Sequence, residues 1–218
     1  MHDPQAIENI IKNLNPPQRQ AVLHETGPLL ILAGAGSGKT RVLTHRVANL
    51  IAKDLASPEN ILAMTFTNKA AREMESRIFQ LLAQMGVGLR EPLWISTFHS
   101  FCSRILRKHI EFLDYQTHFS IYDDSDQLSQ IKKIQIALNI NEKIYSAKSF
   151  VSKINNAKML GLTPAALQNK NTLRLDDISL SVYSQYELEM KKANALDFGD
   201  LLLKTFELFI RKIKKKKQ

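Results

Sequence analysis

The chain has 218 residues, of which 44% are hydrophobic and 23% charged, as expected for a soluble globular protein with one large domain or two small ones. No apolar run reaches the roughly 20 residues that a membrane-spanning helix needs, and the N-terminus lacks the features of a secretory signal. The single cysteine, Cys102, excludes an internal disulfide and favours a cytoplasmic location. The formal net charge is +9, but the last eight residues contribute six positive charges and no negative ones, which predicts a solvated basic tail at 211–218.

The first half of the chain alternates short apolar runs with amphipathic helices. Apolar periodicity predicts helices over residues 3–13 and 18–24, and Pro16-Pro17 can start the second one. Three further apolar runs predict strands over residues 29–33, 61–65 and 93–97. The helices that follow these strands begin near Lys39, Asn68 and Phe98. Because this β-loop-α order repeats three times, the sequence predicts an α/β fold with a parallel sheet and crossover helices.

The pattern changes at residue 114, after which helices and loops follow one another without a convincing strand. Ser146 can cap a helix that runs to Leu160, with Gly161 as its stop, and a further helix is predicted over residues 180–192. An amphipathic helix over residues 197–210 then brings the chain back toward the first part. We therefore expect four parts along the chain. They are a first motor-domain part (1–113), a helical inserted subdomain (114–195), a return helix (196–210) and the basic tail (211–218).

A glycine-rich loop precedes the helix that begins near Lys39. It fits the pattern [AG]-x-x-x-x-G-K-[ST] and consists of Ala33, Gly34, Ala35, Gly36, Ser37, Gly38, Lys39 and Thr40. Glycines let consecutive backbone N–H groups converge on phosphate oxygens, and the helix N-terminus adds partial positive charge. Lys39 would bind the β and γ phosphates, and the Thr40 hydroxyl would ligate Mg²⁺. The loop predicts a nucleoside triphosphate site, most simply for Mg·ATP; the alternative is an ordinary Gly/Ser turn.

Three further segments accompany this loop in a fixed order. They read LNPPQRQAV at residues 14–22, AMTFTNKAAREM at residues 63–74 and ISTFHSFC at residues 95–102. Together with the loop, they resemble the opening motifs of superfamily 1 DNA helicases of the UvrD/PcrA/Rep type, and the resemblance extends over residues 10–210. It implies a P-loop (RecA-like) parallel sheet with helices on both faces and an all-helical insertion that lies over duplex and single-stranded DNA.

The resemblance also implies roles for individual residues. Gln18 matches a glutamine that recognises adenine, and Arg41 matches an arginine that stacks on the base. The segments after the second and third predicted strands match single-stranded DNA contacts, namely Phe66, Thr67, Asn68, Lys69, Thr97, Phe98 and His99. Taken alone, Gln18 could be an exposed helix-start residue, Phe66 could belong to the core, and His99 could be structural.

Two departures from the family pattern concern catalysis. Gly199 stands where the family usually has an acidic residue, and the strand-borne Asp-Glu pair that would hold Mg²⁺ and orient water is absent, because no Asp-Glu dipeptide occurs in the chain. We therefore expect the N-terminal portion of an ATP-dependent 3′-to-5′ helicase of DNA repair or replication, without its second motor domain and with an incomplete sheet. Its expected partners are single-stranded DNA, a duplex junction and a separate chain with the missing half.

Three alternatives to a helicase portion remain open at this level. The chain could be a binding module that holds ATP and single-stranded DNA without turnover, or a decayed product without a stable fold. An unrelated P-loop kinase or transporter ATPase would explain the loop, but it would not explain Gln18 or the two segments at the strand ends.

Overall fold

A computed structural model describes residues 4–89, 92–168 and 175–216. The chain forms two compact units, Met1–Phe98 and His99–Gln218. The elements of the first unit are α1 (Pro4–Ile11), α2 (Pro16–Leu23), α3 (Lys39–Ala52), a 3₁₀ turn (Pro58–Asn60), β1 (Leu62–Thr65), α4 (Asn68–Gln84) and β2 (Trp94–Thr97). The predicted division at residue 114 stays a prediction.

The elements of the second unit begin with α5 (Phe98–His109), whose first residue still belongs to the first unit. They continue with a 3₁₀ turn (Ile110–Leu113), β3 (Ser120–Tyr122), α6 (Asp124–Ala137), α7 (Ala147–Met159), α8 (Pro164–Gln168), α9 (Asp177–Lys192), β4 (Ala195–Asp197) and α10 (Phe198–Lys216). Within the residues described, no helix is both long and apolar enough to cross a membrane.

The sheet of the first unit contains two of the three predicted strands. β1 and β2 pair in parallel, and their last residues, Thr65 and Thr97, are partners in the register. Helices α3 and α4 cover this pair, and their buried apolar side chains form one core with the strand residue Ala63. The prediction of an α/β arrangement with parallel strands is confirmed for this part of the chain, since strand, helix and parallel strand follow in sequence.

The remaining predicted strand, over residues 29–33, does not form in this structure, so this prediction is wrong. Among the described residues, no strand forms hydrogen bonds with this segment. Its side chains are exposed by 40% at Leu29, 81% at Leu30, 41% at Ile31 and 86% at Leu32. An apolar run forms a buried strand only where neighbouring strands satisfy its backbone groups and cover its faces. The described chain supplies neither.

The second unit is mainly helical, with one small sheet that the sequence analysis missed. β3 and β4 pair in parallel over three residues each, with Ser120 opposite Ala195. The largest core of this unit combines α6, α7 and α9, and its most deeply buried large side chains are Phe150, Tyr183 and Tyr186. These helices place β4 and the start of α10 beside α7, which matters for the charged residues described below.

The predicted boundaries of α7 are confirmed. The Ser146 hydroxyl accepts a hydrogen bond from the Ser149 N–H at 3.3 Å, so Ser146 is the N-cap. Gly161 adopts a positive φ of 70° just after the helix, the left-handed conformation that favours glycine. The last helix runs further than expected, because α10 continues through Lys216 into the segment predicted to be a tail.

Candidate functional site

The glycine-rich loop leads directly into the N-terminus of α3. Gly38 is the N-cap of this helix and has a φ of 83°, and Gly36 has a φ of 76°. Of the side chains that the structure describes, none caps this helix start. The first-turn N–H groups therefore remain available for a ligand rather than for a side chain, as phosphate binding at a helix N-terminus requires.

Lys39 lies within the curve of the loop. Its Nζ donates to the carbonyl oxygens of Ala33 at 3.0 Å and Gly34 at 2.6 Å. The Ser37 hydroxyl donates to the same Gly34 oxygen at 2.7 Å. Residues 33–37 and Lys39 are exposed, so water or phosphate oxygens can replace these carbonyls. The arrangement brings an ammonium and open backbone donors together, which is the chemistry that a triphosphate requires.

Thr40 follows Lys39 on the first turn of α3 and is exposed. Within residues 4–89, 92–168 and 175–216, no three His, Cys, Asp or Glu side chains are grouped so that they could hold a metal ion. Mg²⁺ commonly takes only one or two protein ligands and completes its octahedron with phosphate oxygens and water. The exposed Thr40 hydroxyl can serve as one ligand of this kind.

Two further predicted nucleotide residues, Gln18 of α2 and Arg41 of α3, border the loop. The Gln18 side-chain nitrogen Nε2 donates to the Ser37 carbonyl at 3.0 Å. The Arg41 guanidinium donates to the Asn13 carbonyl at 3.2 Å, so it lies beside the chain segment that enters α2. Gln18 and Arg41 are 23 positions apart, yet both border the loop.

The predicted nucleic-acid residues of the first unit meet at the carboxyl ends of β1 and β2. The Phe66 and Phe98 rings follow these strands, and their centroids are 5.9 Å apart at an interplanar angle of 41°. Phe66 is 92% exposed and Phe98 is 40% exposed. The alternative that Phe66 belongs to the core is therefore wrong. Two exposed rings at one sheet edge can stack on bases.

Polar groups lie next to these rings at the start of α4. Thr67 is the N-cap, and its hydroxyl oxygen accepts from the Ala70 N–H at 3.1 Å. The Thr65 hydroxyl in turn donates to the Thr67 carbonyl at 3.0 Å, which holds the turn after β1. Asn68 and Lys69 are exposed on the first turn of the helix. This edge therefore combines aromatic faces with an amide, an ammonium and a helix N-terminus, a combination that suits a sugar-phosphate backbone.

His99, the last of the predicted DNA residues, begins the second unit. Its ring meets the Phe198 ring edge-on, with centroids 5.9 Å apart and an interplanar angle of 77°. Both rings line a cleft of about 330 Å³ that also contains the side chains of Gln127, Asn155 and Asp197. His99 is exposed, so it is not a buried structural histidine.

A buried group of charged residues beside this cleft was not predicted from the sequence; we refer to Lys158, Glu187, Asp197 and Asp200 as the buried charge cluster. Lys158 Nζ lies 2.8 Å from Glu187 Oε1, Asp197 Oδ2 and Asp200 Oδ1, and the lysine side chain is 0% exposed. Only the Asp197 contact has hydrogen-bond geometry. The other two are ion pairs.

Neighbouring groups hold the carboxylates of this cluster. The Tyr186 hydroxyl and the Gln127 amide donate to Asp197 Oδ2 at 2.9 Å and 3.2 Å. The Asp200 N–H donates to Asp197 Oδ1 at 2.8 Å, and the Asp197 N–H donates to Asp200 Oδ2 at 3.2 Å, which closes a reciprocal cap at the start of α10. The cluster joins α7, α9, β4 and α10.

Burial and mutual attraction act in opposite directions on these charges. Burial lowers the pKa of Lys158, but Asp200, Glu187 and Asp197 outweigh that effect and raise it well above its usual value. Burial raises the pKa of Asp200 to about 7; Lys158 opposes this shift, and the carboxylates of Asp197 and Glu187 add to it. The only sequence signal for the cluster was the Asp197–Asp200 spacing of a helix cap.

The packing of this cluster explains why a residue without a side chain suits position 199. A Cβ at Gly199 would lie 3.1 Å from Lys158 Cδ and 3.3 Å from Asp197 Oδ1. The absence of a side chain thus leaves room for the Lys158 stem to pass under the first turn of α10.

Comparisons with known proteins agree with the motifs. The model of the UvrD/REP helicase N-terminal domain matches residues 14–218. The chain is 44% identical over 202 residues to the ATP-dependent DNA helicase PcrA of Staphylococcus aureus, with 93% of this chain and 27% of that protein covered. It is 45% identical over the same span to PcrA of Bacillus subtilis.

A third relative, a probable DNA helicase II homolog of Rickettsia felis, is 46% identical over 207 residues, which cover 94% of this chain and 31% of that protein. The chain therefore spans less than one third of the length of these relatives.

Proposed function

The chain belongs to the UvrD/REP helicase N-terminal domain family, and from this membership we propose that it binds Mg·ATP and single-stranded DNA as the N-terminal portion of an ATP-dependent 3′-to-5′ DNA helicase. Such an enzyme of DNA repair or replication would act in the cytoplasm. The observation that carries the proposal is the position of Lys39, whose ammonium lies inside a glycine loop at the uncapped N-terminus of α3. ATP is the nucleotide named for the related PcrA helicases.

Each part of the loop has a role in nucleotide binding. The backbone N–H groups of the loop bind the phosphates, Lys39 neutralises the β and γ phosphates, and Thr40 ligates the Mg²⁺ that accompanies them. Gln18 binds the adenine edge, and Arg41 stacks on the base. The residues that contribute to this proposed site are Gln18, Ala33, Gly34, Ala35, Gly36, Ser37, Gly38, Lys39, Thr40 and Arg41.

Single-stranded DNA binds at the carboxyl ends of the strands in this proposal. The exposed rings of Phe66 and Phe98 supply stacking surfaces, and Lys69 supplies a positive charge for a phosphate. The proposed contact residues are Phe66, Thr67, Asn68, Lys69, Thr97, Phe98 and His99. The proposed fold is RecA-like, and the helical second unit would also contact the DNA.

ATP hydrolysis requires two carboxylates that the family carries as an adjacent Asp-Glu pair, and these 218 residues contain no such pair. Phosphoryl transfer to water needs one carboxylate to hold Mg²⁺ and another to orient the water, and no Asp-Glu dipeptide is present. We therefore expect residues 1–218, produced alone, to bind ATP and DNA with negligible turnover.

Two measurements on the purified chain test the proposal. Isothermal titration calorimetry with Mg·ATP should show one site, and fluorescence anisotropy with a labelled oligothymidine should show binding that weakens with salt. ATPase activity near 1 per second with single-stranded DNA, a rate typical of working enzymes, would contradict the expectation of negligible turnover. Absence of any heat with Mg·ATP would overturn the nucleotide site itself.

The DNA surface has its own test in Lys69→Ala. Loss of one phosphate contact should reduce the slope of log affinity against log salt by about 0.7 for a single strand. Lys12→Ala, at an exposed lysine of the same unit, is the matched control and should leave the slope unchanged. An unchanged slope in Lys69→Ala would remove this residue from the proposed DNA surface.

A further inference from the structure

A second cleft of the helical unit lies between α9 and α10. It has a volume of about 530 Å³, and three cations line it, namely Lys191 of α9 and Lys204 and Arg211 of α10; we refer to them as the cation trio. The cleft beside His99 lies at the start of α10. Arg211 follows Phe198 by 13 residues, which is about 20 Å along the helix at a rise of 1.5 Å per residue. The second cleft therefore extends along a different part of the unit.

Lys204 is a buried cation with weak partners. Its side chain is 10% exposed, and its Nζ lies 3.6 Å from Glu187 Oε2 and 3.5 Å from Glu207 Oε2. Both distances exceed the 2.7–2.9 Å or so of a charge-assisted hydrogen bond. Glu187 is also held at 2.8 Å by Lys158, on the other side. An anion in the cleft could approach Lys204 more closely than either carboxylate does.

The other two cations also keep donors for a ligand. Lys191 Nζ donates to the Leu113 carbonyl at 2.7 Å and lies 3.7 Å from the centre of the Tyr115 ring. Arg211 donates one N–H group, on Nη1, to the Phe112 carbonyl at 2.9 Å, and the residue is exposed. An ammonium has three donors and a guanidinium five, so these contacts leave further N–H groups for an anion.

The three cations are close enough to repel one another. Burial lowers the pKa of Lys191, and the charges of Lys204 and Arg211 add to this shift, whereas Asp114 and Glu207 oppose it. An anion bound between the cations would remove their repulsion. It would also compete with Glu207, which is the carboxylate nearest to Lys204 on α10.

The positive charge extends beyond the cleft along α10. The helix continues through Lys216, and four of the five residues after Arg211 in it are lysines. A single small anion would occupy the cleft alone, whereas a linear chain of phosphates could contact the cleft and the lysine-rich helix end together. Guanidinium groups bind phosphate in bidentate geometry, and lysines add point charges. This arrangement of cations favours a phosphodiester backbone as the ligand.

We propose that the cation trio and the lysine-rich end of α10 bind the phosphates of a nucleic-acid strand, as a second surface besides the ends of β1 and β2. The inference rests on the proposed function only for the class of partner, because no residue of the glycine-rich loop or of the strand ends takes part. Glu207 weakens this binding, since it competes with phosphate for Lys204.

The test uses the full 218-residue chain and fluorescence anisotropy of a labelled oligothymidine over a range of salt concentrations. The double variant Lys191→Gln/Arg211→Gln removes two phosphate contacts. It should reduce the slope of log affinity against log salt by about 1.4, at about 0.7 per contact with a single strand. Lys12→Gln/Lys53→Gln removes the same charge from exposed lysines of the first unit and should leave the slope unchanged.

Glu207→Gln should change affinity in the opposite direction, which a merely structural role does not predict. Removal of the competing carboxylate should strengthen oligothymidine binding roughly twofold to fivefold, as expected for loss of one partly exposed ion pair. Glu59→Gln, at an exposed glutamate of the first unit, removes the same charge elsewhere and should leave the affinity unchanged.

The outcomes separate this surface from the one at the strand ends. An unchanged slope in the double variant overturns the second surface, and so does unchanged or weaker binding in Glu207→Gln. If loss of the Leu113 and Phe112 hydrogen bonds unfolds the double variant, Glu207→Gln decides alone. Stronger competition by polyglutamate than by unlabelled oligothymidine overturns it too, because that result indicates an acidic protein partner. A reduced slope in the double variant with an unchanged slope in Lys69→Ala supports this surface and contradicts the one at the strand ends; the reverse result contradicts this surface alone.

Discussion

The glycine-rich loop (residues 33–40) and the buried charge cluster each surround one lysine with oxygen atoms, but they do so in opposite environments. Lys39 is exposed and contacts two neutral carbonyl oxygens of its own loop. Lys158 is fully buried and contacts three carboxylates from α9, β4 and α10. An exposed ammonium on neutral partners can exchange them for a ligand at small cost, whereas a buried ammonium among carboxylates cannot. The comparison separates a site for binding from a site that holds structure.

The largest expected effect is on the buried lysine. Lys158→Met should lower the free energy of unfolding by about 3–5 kcal/mol, because removal of the lysine leaves the buried carboxylates of Asp197 and Asp200 without their cation, while Glu187 keeps its ion pair with Lys204. Urea denaturation followed by circular dichroism measures this change. Lys192→Met removes an exposed lysine of α9, 69% exposed in its ion pair with Glu189, and should change stability by less than about 0.5 kcal/mol. Equal effects of the two substitutions would contradict the structural role of the cluster.

The exposed lysine should affect ligand binding rather than stability. Lys39→Ala should weaken Mg·ATP roughly 10- to 100-fold, since a charge-assisted hydrogen bond to phosphate contributes about 1.5–3 kcal/mol. Its unfolding midpoint in urea should stay near that of the wild type. Lys53→Ala, at the other end of α3, is the matched control for calorimetry and should bind ATP as the wild type does. Unchanged Mg·ATP affinity in Lys39→Ala would contradict the assignment of residues 33–40 as the nucleotide site.

The buried cluster should also give stability a pH dependence. Burial raises the pKa of Asp200 to about 7, above its usual value of 3.8, so the folded chain binds a proton that the unfolded chain releases between about pH 4 and 7. Stability should therefore fall as pH rises through this window, by at most about 1.4 kcal/mol per pH unit.

Asp200→Asn tests this pH dependence, because an amide does not titrate and can still accept from the Asp197 N–H. Denaturation curves collected from pH 4 to 8 should show a flatter profile for the variant than for the wild type. The charged and titratable groups that act on Asp200 or respond to it are the same in both proteins, namely Lys158, Asp197, Glu187, Lys204, Tyr115, Tyr183 and Tyr186. Identical slopes would show that Asp200 does not titrate in the cluster.

The smallest expected effect is on stability at Leu30, an exposed leucine that can be compared with a buried one. Leu30 is 81% exposed beside the loop, and Leu82 of α4 is 1% exposed in the core of the same unit. Leu30→Gln should change the unfolding free energy by less than about 0.5 kcal/mol, whereas Leu82→Gln should cost several kcal/mol. Fluorescence of Trp94, the single tryptophan, reports unfolding of this unit. A large loss in Leu30→Gln would show that residues 29–33 are covered in solution.

The local features of the fold could be predicted from the sequence because they depend on neighbours along the chain. Apolar periodicity located the helices, and a capping serine and a terminal glycine located both ends of α7. The short strands β3 and β4 could not be recognised, since three residues carry too little periodicity. Residues 29–33 were assigned to a strand because their composition suits a buried position, but burial depends on neighbouring strands that the described chain does not supply.

The sequence by itself determined the candidate phosphate loop and the family, because a phosphate cradle uses consecutive residues at a helix start. Only the tertiary structure decided which distant residues meet. It placed Gln18 on the Ser37 carbonyl, and it brought Lys158 to Asp197 across 39 positions of sequence. Contacts of this kind depend on how helices pack rather than on the composition of any one segment. The exposure of residues 29–33 has the same cause, since a strand is buried only when other strands lie beside it.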